Sequence, residues 1–544
     1  MTTAQFEKST KALIDGLKGI CTNYGLGNDG NEFKIITQVF LYKFMNDKFA
    51  YELKRIDPEL AETDNWENTL RELHEDRYEL LLLQLPANTA RLQPRHLIST
   101  LFTHQNDEDF AKRFDDTLTD LAIQNAEIFS VQTEGGTKIK LFDRLSEFIA
   151  DTSKRDAFCR ALINQLATFS FEPIFAEKYD FFATIFEYLI GDYNKDGGGK
   201  YAEYYTPHAV AKIMAAILVT EQRDNIACYD PSAGSGTLLM NLAHAVGEER
   251  CTIYSQDISQ KSSSLLRLNL ILNNLVASIP NVIQGNTILN PAHRTRQGQF
   301  RRFDYVVSNP PFKLDFSDFV NDLNTKENND RFFAGLPNIP KKKKDGMAIY
   351  PLFIQHIMHV LQDDGRAAIV VPTGFLTAQG GPDKKIRKRL VEKRMLSGVV
   401  SMPSNIFATT GTNVSILFLD KTNTTGKVVL MDASGLGKKV KEGKNQKTVL
   451  ATAEEDRIIE VFNAREAVED FTVTVDYGEL KKKNYSFSAG QYFEVRIEYS
   501  ELTAEEFAEG IEAKMEKLNH LFNQADSLER MIGGKLKMLI YERP

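Results

Sequence analysis

The chain has 544 residues, 42% of them hydrophobic and 26% charged, with a formal net charge of −8. That length exceeds a single hydrophobic core and calls for roughly two to four domains. The excess of acid excludes a chain that binds nucleic acid electrostatically over its whole surface, so any basic surface must be local. Four cysteines (Cys21, Cys159, Cys228 and Cys251) form no CxxC pair, which argues against a disulfide framework or a zinc site and fits a reducing cytoplasm. No apolar run reaches the ~18 residues of a membrane span, and no charged segment followed by an apolar block stands at the N-terminus. The expectation is a soluble, cytoplasmic, multidomain protein.

In chain order, residues 1 to about 170 read as an all-helical domain. Phe33, Ile36, Phe40 and Phe44 recur at threes and fours, and similar stripes run from Phe6 to Ile20 and from Leu141 to Ile149. Nothing in this region has catalytic spacing. Three consecutive glycines in "GDYNKDGGGKYAEYYTP" then mark a crossing into a different regime. Short apolar runs ("IACYD", "CTIYSQD", "NVIQG", "FDYVVS", "RAAIVVP", "SGVVSM", "SILFLD") alternate with helical patterns up to Asp420, which predicts an open, mainly parallel α/β sheet. A mixed segment rich in Lys and Gly follows to about Ser500, with "KVVLMD" as a further strand. The last stretch predicts a helical tail. Phe507, Ile511, Met515, Leu518, Phe522, Ala525 and Ile532 lie close to a heptad seam that Gly533-Gly534 interrupts. The expected division is 1–170, 171–500 and 501–544.

Two stretches can carry chemistry. In "YDPSAGSGTLLMNLA" a strand ends at Asp230, and a Gly/Ser turn from Ser232 to Thr237 opens a helix. Such a turn lets backbone approach a ligand closely. A phosphate loop needs Lys-Ser/Thr after the last glycine, where Thr237-Leu238 stands, and a dinucleotide site needs a second glycine pair that is missing. S-adenosylmethionine has no phosphate and requires only close backbone contact and an acid for its ribose. Asp257, ending the next strand, is placed to be that acid.

The second stretch, "FDYVVSNPPFKLDF", ends a buried strand in a corner of Asn309, Pro310, Pro311 and Phe312. Two prolines fix φ and withhold N–H donors. Such a corner suits methyl transfer to an exocyclic amine, whose lone pair is delocalised into its ring. The side-chain carbonyl of Asn309 and the backbone carbonyl of Pro310 can accept from that amine and aim its lone pair. Phe312 offers a flat face to the base, and base–aromatic stacking is worth about 1–3 kcal/mol. A base taken from a duplex must be flipped out, and the ring offsets part of that cost.

The succession "AEYYTP", "DPSAGSGT", "SQDIS", "GNTI", "NPPF" resembles the gamma-class amino-methyltransferases of DNA. With its helical N-terminal domain and helical tail, the chain resembles the modification subunit of type I restriction–modification systems. The resemblance covers nearly the whole chain and is most specific from Gly197 to Phe312. It implies a Rossmann-like, S-adenosylmethionine-dependent methyltransferase sheet acting on adenine N6, with no metal. It implies that Glu203, Tyr204, Tyr205, Thr206, Pro207 and His208 line the cofactor site. Gly234, Ser235, Gly236 and Thr237 would pass around its methionine moiety, Asp230 would belong to the same cofactor site, Asp257 would hold the ribose, and Asn309, Pro310, Pro311 and Phe312 would take the target adenine. The family's usual third-motif aspartate is replaced by Asn286, whose amide carbonyl can still accept from the cofactor's adenine amine.

Between Phe312 and Tyr350 the sequence reads as a loop carrying Lys341 to Lys344, a candidate for phosphate contact, and the segment from Asp420 to Ser500 is short for two DNA half-site readers. The resemblance therefore implies DNA as substrate and a separate specificity subunit, with two modification subunits per complex. It also implies an ATP-driven restriction subunit for cleavage. The tail from Phe507 to Ile532 is the candidate contact with the specificity subunit. No Walker A motif or nuclease carboxylate cluster places cutting in this chain. Spacing alone leaves open N4 methylation of cytosine, methylation of RNA or of a protein glutamine, and a non-catalytic scaffold that binds S-adenosylmethionine.

Overall fold

The computed structural model describes residues 3–27, 30–63, 65–175, 206–337, 339–407, 412–442, 445–493 and 503–537. It falls into two compact units, Met1–Tyr492 and Phe493–Pro544.

The first unit is built on one ten-stranded sheet. Its strands in chain order are β1 (Gln132–Thr133), β2 (Ile226–Asp230), β3 (Cys251–Asp257), β4 (Val282–Gln284), β5 (Phe303–Ser308), β6 (Leu361–Pro372), β7 (Leu396–Ser401), β8 (Val414–Asp420) and β9 (Lys427–Asp432), with a last strand at Thr472–Asp476. Across the sheet they run β1-β4-β3-β2-β5-β6-β8-β7-β9, followed by Thr472–Asp476. The strands from β1 to β6 are mutually parallel, β8 is antiparallel to both β6 and β7, β9 is parallel to β7, and the last strand is antiparallel to β9. This is the open α/β sheet expected from the alternation of strands and helices. Its central strands are buried on both faces, β2 at every position, which is why they read as unbroken apolar runs rather than as alternation. The chain winds outward from β2 through β3 and β4 in one direction and from β5 through β6 in the other. A crevice therefore opens beyond the carboxyl ends of β2 and β5, where such sheets bind ligands.

The N-terminal region is helical over Thr3–Asn23, Gly30–Ile56, Phe110–Gln124 and Arg155–Ala167. Phe33, Ile36, Phe40 and Phe44 are buried as the stripe requires, but so are Ile35, Val39, Tyr42, Met45 and Phe49. Gly30–Ile56 is thus a central helix packed nearly all round, and burial extends even to the Lys43–Asp47 ion pair at 2.9 Å. The stripe at Leu141–Ile149 does not form an α-helix: only Leu145–Phe148 coils, as one 3₁₀ turn. The helical region also contributes β1 to the sheet, and its side chains run into one continuous hydrophobic core with those of β2 to β9.

Residues 313–349, expected to be a loop, are a folded insert. Phe316, Val320, Leu323, Phe332, Met347 and Ile349 pack with Ile288, Leu352 and Phe353 into a small core of their own. In the second unit one helix, Ala504–Lys537, runs straight through Gly533 and Gly534, so the glycine pair does not interrupt it. Among the described residues no helix is long and apolar enough to cross a membrane.

Candidate active site

The glycine turn lies in the crevice. Asp230 ends β2 fully buried, and its Oδ1 accepts from the Ser232 N–H at 2.9 Å. Ser232 Oγ sits 2.7 Å from Ser308 Oγ at the end of β5, closing the crevice across the switch in strand order. Burial, the nearby Asp257 charge among lesser causes, pushes the Asp230 carboxyl up to about 8 against the pull of the Ser232 donors. Asp230 thus shapes the turn from beneath.

Gly234 and Gly236 both have positive φ, +53° and +89°. A Cβ on Gly236 would collide with Leu266 Cδ1 of the following helix, Gln260–Leu272, so glycine is required there. The Gly234 N–H donates to Asp257 Oδ2 at 2.9 Å, Gly236 N–H to the Ala233 carbonyl at 2.9 Å, and Asn269 Nδ2 holds the Ser235 carbonyl at 2.7 Å. The Gly234 and Gly236 N–H groups are thus already spent on protein acceptors, whereas a phosphate cradle needs such donors free. Helix Thr237–Val246 follows at once, with Thr237 Oγ1 3.2 Å from Ser235 Oγ.

Asp257, at the end of β3, accepts from Gly234 N–H through Oδ2 and from Ser259 N–H at 2.8 Å through Oδ1. Burial raises its carboxyl above the usual range, against the lowering pull of those two donors. Each oxygen keeps one acceptor position. Beside it Ile258 stands 62% exposed. Sequence reasoning passed over Ile258, although an apolar residue left bare directly after the acid is itself a signal of a ligand face.

Asn286 is placed differently from expectation. Its Oδ1 accepts from the Ile288 and Leu289 N–H groups at 3.0 and 3.1 Å, capping its own turn. The carbonyl that was to receive the cofactor's amine is thus already committed. The same loop is gripped from below by the buried Arg331, which donates to the carbonyls of Thr287 at 2.7 Å and Ile288 at 2.8 Å and to His356 Nδ1 at 3.0 Å.

Across the crevice, Asn309 and Phe312 are half-buried, Pro310 buried and Pro311 exposed. Asn309 Nδ2 donates to Thr206 Oγ1 at 3.2 Å. With the amide in this orientation Oδ1 has no hydrogen-bond donor among the described residues and can accept. Thr206 is buried, Pro207 caps helix His208–Leu218, and His208 begins it. Glu203, Tyr204 and Tyr205 lie outside the described residues. The Phe312 carbonyl accepts from Ile349 N–H at 3.2 Å, and the Phe312 ring meets Tyr350 edge-on at 6.2 Å. Tyr350 in turn packs edge-on against Phe375 at 6.2 Å and donates to Asp383 Oδ2 at 2.6 Å.

The site therefore brings a glycine turn backed by Asp257 against a rigid corner carrying the Asn309 amide and the Phe312 ring. The N-6 DNA Methylase family profile matches residues 177–501. The chain belongs to that family. It is 27% identical over 394 residues to the type I restriction enzyme MpnII methylase subunit of Mycoplasma pneumoniae, spanning 70% of this chain and 68% of that one. It is 25% identical over 508 residues to the MjaVIII methylase subunit of Methanocaldococcus jannaschii, spanning 90% and 80%. The methyltransferase subunit of the Streptococcus thermophilus type I restriction-modification system shares its fold, with a TM-score of 0.71 at 22% identity over 90% of this chain and all of that one. This N-6 DNA methylase is an adenine-specific DNA methyltransferase of the type I modification-subunit kind, and S-adenosylmethionine is its methyl donor. Among the described residues no group of three or more His, Cys, Asp or Glu is placed to hold a metal ion.

Proposed function

We propose that Asn309, Pro310 and Phe312 hold the target adenine, and that the chain works in the cytoplasm within a complex whose separate specificity subunit reads the DNA. The observation that carries this reading is the rigid corner at the end of β5, where Asn309 Nδ2 is held by Thr206 Oγ1 at 3.2 Å and the preceding Ser308 Oγ lies 2.7 Å from Ser232 Oγ of the glycine turn. The residues present fit the cofactor: Asp257 keeps two acceptor positions for a ribose diol, and the exposed Ile258 beside it offers an apolar face. When bound, S-adenosylmethionine supplies an electrophilic methyl group on a sulfonium. Asn309 Oδ1 and the Pro310 carbonyl each accept one N–H of adenine N6, which turns its lone pair out of conjugation and towards that methyl. Phe312, braced by Tyr350, stacks on the flipped ring. The amine's surplus proton leaves after transfer, so the corner needs no strong base.

Two basic segments flank this corner. Lys341 to Lys344 are exposed just before the strip 347–349, whose Met347 and Ile349 pair with Leu314 and Phe312. Helix Gly381–Glu392, tied to Tyr350 through Asp383, exposes Lys385, Lys388 and Arg389 and is followed by the exposed Lys393 and Arg394. We infer that both touch phosphates beside the flipped base. The second was missed in the sequence, because its basic residues are interleaved with the buried Ile386, Arg387 and Leu390 of an ordinary amphipathic helix.

The test is expression of the chain with its specificity subunit in a methylation-free host, followed by mass spectrometry of the digested DNA. N6-methyladenine is expected with wild type. Asn309→Ala should lose it by at least about a hundredfold, the scale for removing one transition-state partner, while retaining cofactor binding by calorimetry. Undiminished product from Asn309→Ala would refute the assignment, and N4-methylcytosine would keep the mechanism and change the base.

A further inference from the structure

We propose that Glu134, a residue of the helical N-terminal region, is the acceptor for the exocyclic amine of the cofactor's own adenine. This rests on reading the crevice as an S-adenosylmethionine site and adds a recognition residue from outside its sequence motifs.

The register of the sheet places Glu134 there. Asp257 pairs with Gln284, and Gln284 pairs with Thr133. Asp257, Gln284 and Thr133 therefore stand at one level, and Glu134 and Gly285 lie just past the carboxyl edge. From β3 to β1 is two strand spacings, about 10 Å, comparable with the span from a ribose diol to the far edge of its purine. A nucleoside held at Asp257 and laid over the exposed Ile258 brings that edge to the loop after β4.

At that loop the chemistry is one-sided. Asn286 Oδ1 is committed to Ile288 and Leu289 N–H. Glu134 Oε2 accepts from Asn286 N–H at 2.9 Å, and Oε1 accepts from Asn290 Nδ2 at 3.0 Å. Among the described residues no other carboxylate side chain bonds to residues 285–290. Glu134 remains exposed, and each of its oxygens keeps an acceptor position. Gly285 makes the approach possible, since a Cβ there would collide with the Glu134 carboxylate. The backbone bond from Glu134 N–H to the Gln284 carbonyl at 2.9 Å holds the turn against β4.

The test is calorimetric titration of the full chain with S-adenosylhomocysteine, whose neutral sulfur removes long-range attraction to the carboxylate. The second ligand is the 6-oxo counterpart, S-inosylhomocysteine. Glu134→Gln should weaken S-adenosylhomocysteine about tenfold or more, the range for a hydrogen bond to a charged group. The same variant should bind the 6-oxo ligand as well as wild type or better, because glutamine Nε2 can donate to that oxygen. An equal loss for both ligands would mean that Glu134 only props the loop, and unchanged binding of both would mean that it does not touch the purine; either overturns the proposal. If wild type binds neither ligand, the S-adenosylmethionine reading falls with it.

Discussion

At the scale of single residues, the Asp230 carboxyl shows how the turn is built at a cost to stability. It is nearly inaccessible to solvent, and burial raises its folded pKa from 3.8 to about 8. An acid whose folded pKa lies above its unfolded value contributes most below the unfolded pKa and loses that contribution as pH rises through the folded one. The stability of the cofactor-free chain should therefore decline between about pH 4 and pH 8 on this account, and level off above. Asp230→Asn keeps an oxygen for the Ser232 N–H and removes the ionisation. Its melting temperature should exceed that of wild type at pH 8.5, with the gap narrowing steadily as pH falls to 4.5. A gap that does not change with pH would show that Asp230 does not titrate in that window. The residue was legible as the end of a strand, but its work as a buried brace was not, because the sequence does not show Ser308 folding over beside Ser232.

At the scale of elements, helix Gly381–Glu392 joins the packing of the corner to its electrostatics. Arg387 turns inward, fully buried, and donates to the carbonyls of Phe375, Ala378 and Tyr485. Asp383 takes the Tyr350 hydroxyl. The outer positions Lys385 and Lys388 carry no such load, and Lys388 has only a loose pairing with Glu392 at 3.8 Å. Each phosphate contact contributes about 0.9 to the dependence of log affinity on log salt. Lys385→Gln with Lys388→Gln should lower that slope by about 2 in the assembled complex, leaving cofactor affinity unchanged; an unaltered slope would remove the helix from the DNA path. The elements themselves were largely readable. From "IACYD" to "KVVLMD" every predicted strand is present, because buried β-branched runs bounded by turns have few other uses. Thr472–Asp476 was passed over despite its β-branched alternation, and three other elements that escaped share a weakness of signal. The two-residue β1 is too short for a period, Leu141–Ile149 has the stripe but only one 3₁₀ turn, and the hairpin of Lys438–Glu442 with Asn445–Val449 is built from polar residues. The motif residues of the candidate site were singled out from their order in the chain, whereas Glu134, proposed for the same site, was not. It reaches the loop through a strand pairing about 150 positions away in the chain, and pairing at that distance leaves no local trace.

At the scale of the molecule, the helix Ala504–Lys537 is the part whose sequence and structure point outward. Its 34 residues span about 50 Å at the rise of an α-helix. Phe507, Ile511, Met515, Leu518, Phe522, Leu528 and Ile532 stand exposed along it, each at least 43% accessible. With Ala525 between Phe522 and Leu528 they recur at threes and fours, the spacing that buries a seam against another helix. An apolar stripe of that length in water is a standing incentive to associate. If a separate subunit reads the DNA, as proposed, that partner must be attached somewhere on this chain. The helix forms a compact unit distinct from Met1–Tyr492, so it can be removed without cutting the sheet or its core. A chain ending at Tyr492 should melt as wild type does and bind S-adenosylhomocysteine with unchanged affinity. Co-expressed with the specificity subunit, it should elute uncomplexed in size exclusion with light scattering and leave host DNA unmethylated. Met515→Glu with Phe522→Glu in the full chain should do the same while keeping the helix, which separates loss of the seam from loss of length. Assembly that survives both changes would place the specificity contact on the first unit instead.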